Sequence, residues 1–113
     1  MVDWAHFKDI SQLPEPLQKW DIISAPENPN RVRDYDGKDL VLASPSIDIN
    51  VLSYDQNTVI CHDEYWSLLQ PLLKPYGIEA LPCQLRHSEI FSGAFHCLSL
   101  DVRRRSKLEN YFD

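Results

Sequence analysis

Two short runs of β-favouring residues flank a polar turn in the middle of the chain. The first run, residues 46–54, has isoleucine or valine at every second position from 47 to 51, and the second, residues 58–61, reads Thr-Val-Ile-Cys. The polar residues between them, Asp-Gln-Asn at 55–57, are typical of a turn. The pattern predicts a β-hairpin over residues 47–61.

A helical pattern follows the hairpin. Between residues 64 and 76, apolar side chains recur three and four positions apart, Asp63 is a candidate N-cap, and Gly77 supplies a C-terminal stop. Pro71 lies inside this pattern and predicts a kink or a split, because proline removes one internal hydrogen bond. The helix is expected to pack through Trp66, Leu69 and Leu73.

The remaining apolar runs are shorter. They predict a short helix within residues 3–13, a buried strand over 20–24, a long loop from 26 to 38, and strands over 78–84 and 95–102 with a loop between them. A helix that joins strands favours a mixed sheet, so the predicted fold class is α/β. The outer strands would present unpaired edges unless another segment covers them.

Composition is that of an ordinary globular protein, with 43% hydrophobic and 25% charged residues, and the length fits one domain, 1–113. A net charge of −6 argues against a nucleic-acid partner, because binding to phosphates needs many lysine and arginine contacts. We interpret the arginine run at 103–105 as a solvated face with Asp101 as an ion-pair partner. No apolar run approaches the roughly 18 residues of a membrane span, and the N-terminus does not resemble a signal peptide. We therefore expect a cytoplasmic protein with no membrane partner.

Three cysteines are the candidates for covalent chemistry. Cys61, Cys83 and Cys97 form neither a Cys-x-x-Cys pair nor a zinc-type cluster with histidine. No disulfide framework, metal site or cofactor is therefore predicted, and the odd number leaves at least one thiol free. Cys61 and Cys83 fall within strand patterns and are expected in the core.

Cys97 lies in the run Ser-Gly-Ala-Phe-His-Cys-Leu-Ser-Leu-Asp-Val-Arg-Arg-Arg at residues 92–105. This run resembles the C-terminal run of the arginine:glycine amidinotransferases, a family of guanidino-group-modifying enzymes. The family pattern is Gly-Gly-Gly-Phe-His-Cys, followed within a few residues by Asp-Val-Arg-Arg-Arg. The resemblance reaches upstream to Trp20 and downstream to Asp113. It concerns the C-terminal portion of the family only.

The resemblance implies a fold and a site. The family fold is a propeller-like α/β structure of five pseudo-symmetric modules, of which this chain would supply one. Cys97 would be the nucleophile that attacks the guanidinium carbon of arginine, and the resulting thio-amidino intermediate would pass its amidino group to an amine acceptor. Ser44 matches the second of the family's paired serines near the arginine substrate, while Ala43 stands at the first. Ser92 and Ala94 replace two glycines of the motif.

The histidine and carboxylates with which the family completes its site have no counterparts in the matched region. His96 is not expected to replace that histidine, because neighbours on a strand point to opposite faces. His87, in the preceding loop, is the remaining candidate, although chance placement is favoured there.

Two functions from different classes stay open at this point. The chain could be a piece of an amidinotransferase that works with upstream modules and is inactive alone. It could instead be a non-catalytic remnant that associates with itself or binds a partner. The apolar residues 49–52 and the aromatic residues Trp4, Phe7 and Trp20 favour association in either case, since one small module can hardly bury them all.

Overall fold

The computed structural model describes residues 1, 9–29, 47–86, 93–105 and 107. The chain divides into two compact units, Met1–Ala25 with Asp101–Asp113, and Pro26–Leu100. The predicted loop beyond residue 29, the first part of the predicted N-terminal helix, and Trp4, Phe7, Ser44 and His87 lie outside the described residues.

In the first unit, the described residues form two short 3₁₀ helices, Ile10–Gln12 and Glu15–Lys19. Asp9 caps the first, because its carboxylate accepts hydrogen bonds from the hydroxyl and the backbone N–H of Ser11. These two bonds, the hydroxyl's first, lower the pKa of Asp9. The second helix begins after Pro14, whose ring fixes a backbone angle suited to a helix start.

The predicted strand over residues 20–24 is wrong. Trp20 instead ends the second 3₁₀ helix, where its N–H donates to the carbonyl of Leu17 at 3.2 Å. Among residues 21–25, only Ser24 makes a bridge, and it is an isolated one. A run this short, which begins at a helix end and stops before Pro26, cannot extend a ladder on its own.

The second unit contains a three-stranded mixed sheet, which confirms the α/β class. The strands are β1 (Leu52–Ser53), β2 (Thr58–His62) and β3 (Glu79–Cys83), in the order β1-β2-β3. β1 pairs antiparallel with β2, with Leu52 opposite Ile60, and β3 pairs parallel with β2, with Thr58 opposite Glu79. The predicted strand over residues 78–84 is confirmed.

The predicted hairpin is confirmed in its pairing and its turn, but its first strand is much shorter than expected. The alternating isoleucines belong to a third 3₁₀ helix, Ile47–Ile49, closed by the Asn50 N–H on the carbonyl of Ile47 at 3.0 Å. Burial of Ile47 at 6% exposure prevails over the strand periodicity there. In the turn, the Asp55 carboxylate accepts the N–H of Asn57 at 2.9 Å, and this bond lowers the pKa of Asp55.

The helix α1 (Asp63–Leu73) follows β2 and continues into a 3₁₀ turn, Lys74–Tyr76. Its N-cap is His62, one residue earlier than predicted, and the carboxylate of Asp63 also accepts the Glu64 N–H at 2.9 Å. The helix runs through Pro71 without a split, which corrects that part of the prediction. Gly77 ends it with φ of 70°, a left-handed conformation that suits glycine.

Tyr65, Leu69 and Leu73 are the buried residues of α1, so the predicted packing is confirmed for Leu69 and Leu73 only. Trp66 is 39% exposed, and Tyr65 is the fully buried aromatic residue. The reason is hydrogen bonding: the Tyr65 hydroxyl reaches the carbonyl of Pro26 at 2.8 Å, so its polar end is satisfied in the interior.

Side chains of α1 cover the outer edge of β3. The Glu79 N–H donates to the carbonyl of Asn57, the residue just before β2, at 2.7 Å. Because successive residues of a strand direct their backbone groups to opposite sides, those of Ala80 point away from β2. Gln70 Oε1 accepts the Ala80 N–H at 2.6 Å, and Trp66 Nε1 donates to the Ala80 carbonyl at 2.8 Å. Pro82, the next outward residue, has no N–H to offer. This edge is therefore closed to strand pairing at its centre.

The predicted strand over residues 95–102 is also wrong. Residues 95–98 form a turn in which the Leu98 N–H donates to the Ala94 carbonyl at 3.0 Å, and residues 99–105 have no regular structure. The alternation of Leu98, Leu100 and Val102 resembles a strand, but these side chains are 59%, 87% and 92% exposed. A segment with alternating apolar residues forms a strand only where a neighbouring strand pairs with it and its apolar side chains are buried.

Candidate functional site

Cys97 lies at the surface in the turn that replaces the predicted strand. Gly93 and Ala94 are buried and anchor the start of the turn, while His96 and Cys97 are exposed. The turn is closed by the Leu98 bond to Ala94 and by Ser99, whose N–H and hydroxyl both donate to the His96 carbonyl, at 3.2 and 3.0 Å. The cysteine is thus presented outward on a hydrogen-bonded scaffold.

Asn50, between the third 3₁₀ helix and β1, holds this turn from the other side. Its side-chain oxygen Oδ1 accepts the backbone N–H of His96 at 3.0 Å and that of Cys97 at 3.2 Å. Its backbone carbonyl accepts the same His96 N–H at 3.5 Å. The Asn50 side chain therefore joins two distant segments of the chain, since His96 lies 46 residues and Cys97 47 residues after it.

The other end of the Asn50 amide reaches the cysteine sulfur. Nδ2 donates to Cys97 Sγ across 2.7 Å. The two backbone N–H groups require an acceptor, which fixes the amide oxygen toward them and leaves the NH₂ group facing the sulfur. Since the thiolate is the form of cysteine that attacks carbon, an N–H donor here faces the atom that would carry the negative charge.

The histidines do not form a base for this thiol among the described residues. Among the described contacts, the His96 ring makes no hydrogen bond to Cys97. The two residues lie in a turn, so the expectation that neighbours on a strand point to opposite faces does not apply to them. His62 caps α1 and lies 2.9 Å from the Asp63 carboxylate through Nδ1. No acid or base partner of Cys97 is found in the described part of the chain.

The other two cysteines differ from Cys97. Cys61 is fully buried, as predicted, and burial first, with the carboxylates of Asp48 and Asp63 next, raises its pKa to about 11. Its Sγ lies 3.8 Å from the carbonyl of Leu81. Cys83 is exposed, so the prediction that it lies in the core is wrong. Cys83 is the last residue of β3, in which Ala80 is the buried residue and the other four side chains are exposed.

Asp101 forms the expected ion pair, with Oδ2 2.7 Å from Nε of Arg104 and Oδ1 3.1 Å from Nη2. Within the described ranges, no group of three or more histidine, cysteine, aspartate or glutamate residues could hold a metal ion. No helix in these ranges is long and apolar enough to cross a membrane.

Sequence reasoning placed Asn50 within the family-like region but assigned it no role. Its signal is weak, because an asparagine beside a strand is usually a turn residue, and only the contact with residues 96 and 97 shows what it does.

Most of the chain is similar in sequence to known proteins. It is 32% identical over 102 residues to the L-arginine:L-lysine amidinotransferase of Pseudomonas savastanoi pv. phaseolicola, a match that covers 90% of this chain. It is 35% identical over 77 residues to the mitochondrial glycine amidinotransferase of Danio rerio, which covers 68% of this chain. The chain is homologous to a portion of the amidinotransferases. No protein-family model matches it.

Solved amidinotransferases share its structure as well. An amidinotransferase of the saxitoxin biosynthetic pathway from Microseira wollei superposes on 92% of the chain with a TM-score of 0.75 and 36% identity. The inosamine-phosphate amidinotransferase of Streptomyces griseus superposes on 88% with the same TM-score and 34% identity. The chain corresponds to only a portion of these proteins, 29% and 28% of their chains, and to 27% of the Pseudomonas amidinotransferase.

Proposed function

We propose that this chain is the C-terminal, cysteine-bearing portion of an amidinotransferase that moves the amidino group of arginine to an amine acceptor. The observation that carries the proposal is the exposed Cys97, held in a turn with an N–H donor on its sulfur, inside the motif by which the chain resembles the family. The helix and mixed sheet would form one module of a five-module α/β propeller.

The chemistry proposed for Cys97 is nucleophilic. Its thiolate attacks the guanidinium carbon of arginine, the new S–C bond replaces the C–N bond, and ornithine leaves after its nitrogen takes up a proton. The amine acceptor then attacks the same carbon and releases the thiolate. Ser44 is proposed to bind the arginine substrate, by its correspondence with a family serine.

The described residues supply only part of this reaction. Attack needs the thiol to lose a proton and the leaving nitrogen to gain one, and a guanidinium needs carboxylates to bind it. Since no positioned acid, base or carboxylate pair accompanies Cys97 in the described ranges, we expect the isolated chain to be inactive until other modules complete the site.

A chimera tests the proposal. This chain would replace the matched portion of the Pseudomonas amidinotransferase, and ornithine release from arginine would be measured with lysine as acceptor. We expect amidino transfer that Cys97→Ala abolishes and that the matched control Cys83→Ala retains. A folded chimera without transfer, or one that keeps its activity after Cys97→Ala, would contradict the proposal.

The isolated chain provides the complementary measurement. Purified protein incubated with arginine and glycine should form no ornithine or citrulline above background. Steady production of either, lost with Cys97→Ala, would show that the chain is active alone.

A non-catalytic, self-associating module is the second candidate. The specific observation is the exposed apolar segment after the cysteine, in which Leu100 is 87% exposed. If this candidate is correct, the chain associates in solution while the chimera stays inactive.

A further inference from the structure

We infer that Asn50 is a positioning residue for Cys97 that both shapes the turn and holds a hydrogen-bond donor against the nucleophilic sulfur. The inference rests on the proposed role of Cys97 and deepens it, because it assigns a task to a residue outside the cysteine motif. Its basis is one side chain with two separate sets of contacts, the backbone N–H groups of residues 96 and 97 on Oδ1 and the sulfur on Nδ2.

The two ends of the amide do different work. Oδ1 satisfies two consecutive N–H groups and so fixes the backbone at the cysteine. Nδ2 lies 2.7 Å from Sγ and supplies the only hydrogen bond from a described side chain to that sulfur. No other side chain could do both in the same space: aspartate would keep the acceptor and lose the donor, and leucine would lose both.

The position of Asn50 in the fold makes this contact firm. It follows the 3₁₀ helix Ile47–Ile49, whose first residue is buried, and its own N–H is bonded to Ile47. Two residues later β1 begins and pairs with β2. The amide is therefore carried by backbone that is fixed on both sides.

Asn50→Asp separates the two tasks. Aspartate has nearly the same shape and can accept both backbone N–H groups, so the turn is retained. Its second oxygen would place a negative charge where the N–H donor was, next to a sulfur that must itself become negative to react. A residue that only shapes the turn would tolerate this change, whereas a donor to the sulfur would not.

The measurement is the rate at which iodoacetamide alkylates Cys97 at constant pH near 8, read by mass spectrometry of the full chain. Cys83→Ser serves as the parent, which removes the other exposed thiol. We expect Asn50→Asp to lower the rate at least about fivefold, since the thiolate is the reacting species. Gln56→Glu, an exposed site in the hairpin turn, adds the same charge and should leave the rate unchanged. Circular dichroism and the thermal midpoint verify that each variant is folded.

Each outcome decides the matter. A folded Asn50→Asp variant with the parent's alkylation rate overturns the inference, as does an equal fall in Gln56→Glu. If Asn50→Asp does not fold, Asn50→Ala, which removes the whole amide, is tested in the chimera. A lower rate of Cys97 alkylation with a retained thermal midpoint supports the inference, and an unchanged rate overturns it. The assay involves no arginine, so an inactive chimera with a slowed Asn50→Asp thiol would refute the proposed function and leave the inference standing.

Discussion

At the scale of single residues, three cysteines in one small protein have three different environments. Cys61 is fully buried in β2, Cys83 is exposed at the end of β3, and Cys97 is exposed with an amide donor on its sulfur. Because the residue type is the same in each case, we expect the three thiols to differ in reactivity through desolvation and hydrogen bonding.

The buried thiol predicts a pH dependence of stability. Because burial raises the pKa of Cys61 to about 11, the folded state keeps its proton at pH values where the unfolded state loses it. The contribution of this thiol to stability is complete below about pH 9 and is lost as pH rises to about 11, up to about 3 kcal/mol in all.

Urea unfolding at a series of pH values checks this prediction. Cys61→Val keeps an apolar side chain in the same place but cannot ionise, so its stability should fall less steeply over that interval. Equal slopes for the parent and the variant would mean that Cys61 does not titrate differently on folding.

At the scale of elements, the local sequence pattern is sufficient to predict a helix, strand or turn whose periodicity and end residues lie within the segment itself. The helix after residue 63, the turn at 55–57 and the parallel strand β3 were all predicted, because their periodicity, turn residues and terminal glycine lie within a few positions. The predicted strands that fail include those at 20–24, 47–51 and 95–102. The last two have strand-like alternation, but residues 47–49 form a 3₁₀ helix and residues 95–98 a turn, and Asn50 joins these two segments. For the proposed site, the sequence motif points to Cys97, whereas the contacts of Asn50 are visible only in the structure.

The C-terminal stop of α1 predicts a second stability effect. Gly77 has φ of 70°, and a Cβ there would meet only Asn57 Nδ2 at 4.0 Å, so backbone strain alone opposes a substitution. Gly77→Ala should lower the free energy of unfolding by about 1 kcal/mol, whereas Gly77→Asn should cost less because asparagine tolerates this conformation. Chemical denaturation ranks the three proteins, and an alanine variant as stable as the parent would refute the argument.

The covered edge of β3 predicts a change in association. Trp66→Phe with Gln70→Leu frees both backbone groups of Ala80, and Pro82→Val adds a further N–H to the same edge. The triple variant should form β-sheet aggregates, seen as thioflavin fluorescence and a faster-sedimenting species. Pro82→Val alone is the control and should give no such signal, because Ala80 stays blocked. Aggregates of equal amount in both would show that the side chains of α1 do not protect the edge.

At the scale of the whole molecule, a small core coexists with exposed apolar side chains. The buried apolar residues of the described ranges are few, while Tyr54, Leu98 and Leu100 are each more than half exposed. Trp20 is 48% exposed. Surfaces of this kind are unusual in soluble monomers and are typical of sites that another chain or another module covers.

Self-association of the isolated chain is therefore expected at micromolar concentration. Sedimentation and light scattering should show species larger than the monomer, and replacement of Leu98 and Leu100 by serine should shift the distribution toward the monomer. Tyr76→Ser, at an exposed site in the 3₁₀ turn after α1, is the control for a general gain in polarity. A strictly monomeric parent with a cooperative thermal transition and no binding of an apolar dye would refute this expectation.

The bond between Asn50 and the cysteine turn also has a consequence for the order of folding. The two segments are separated by 46 residues, so the entropy of closing that loop must be overcome before the turn acquires its shape. The hairpin and α1 depend on nearby residues and can form first. We therefore expect Cys97 to acquire its amide donor late in folding, after the start of the sheet has fixed Asn50.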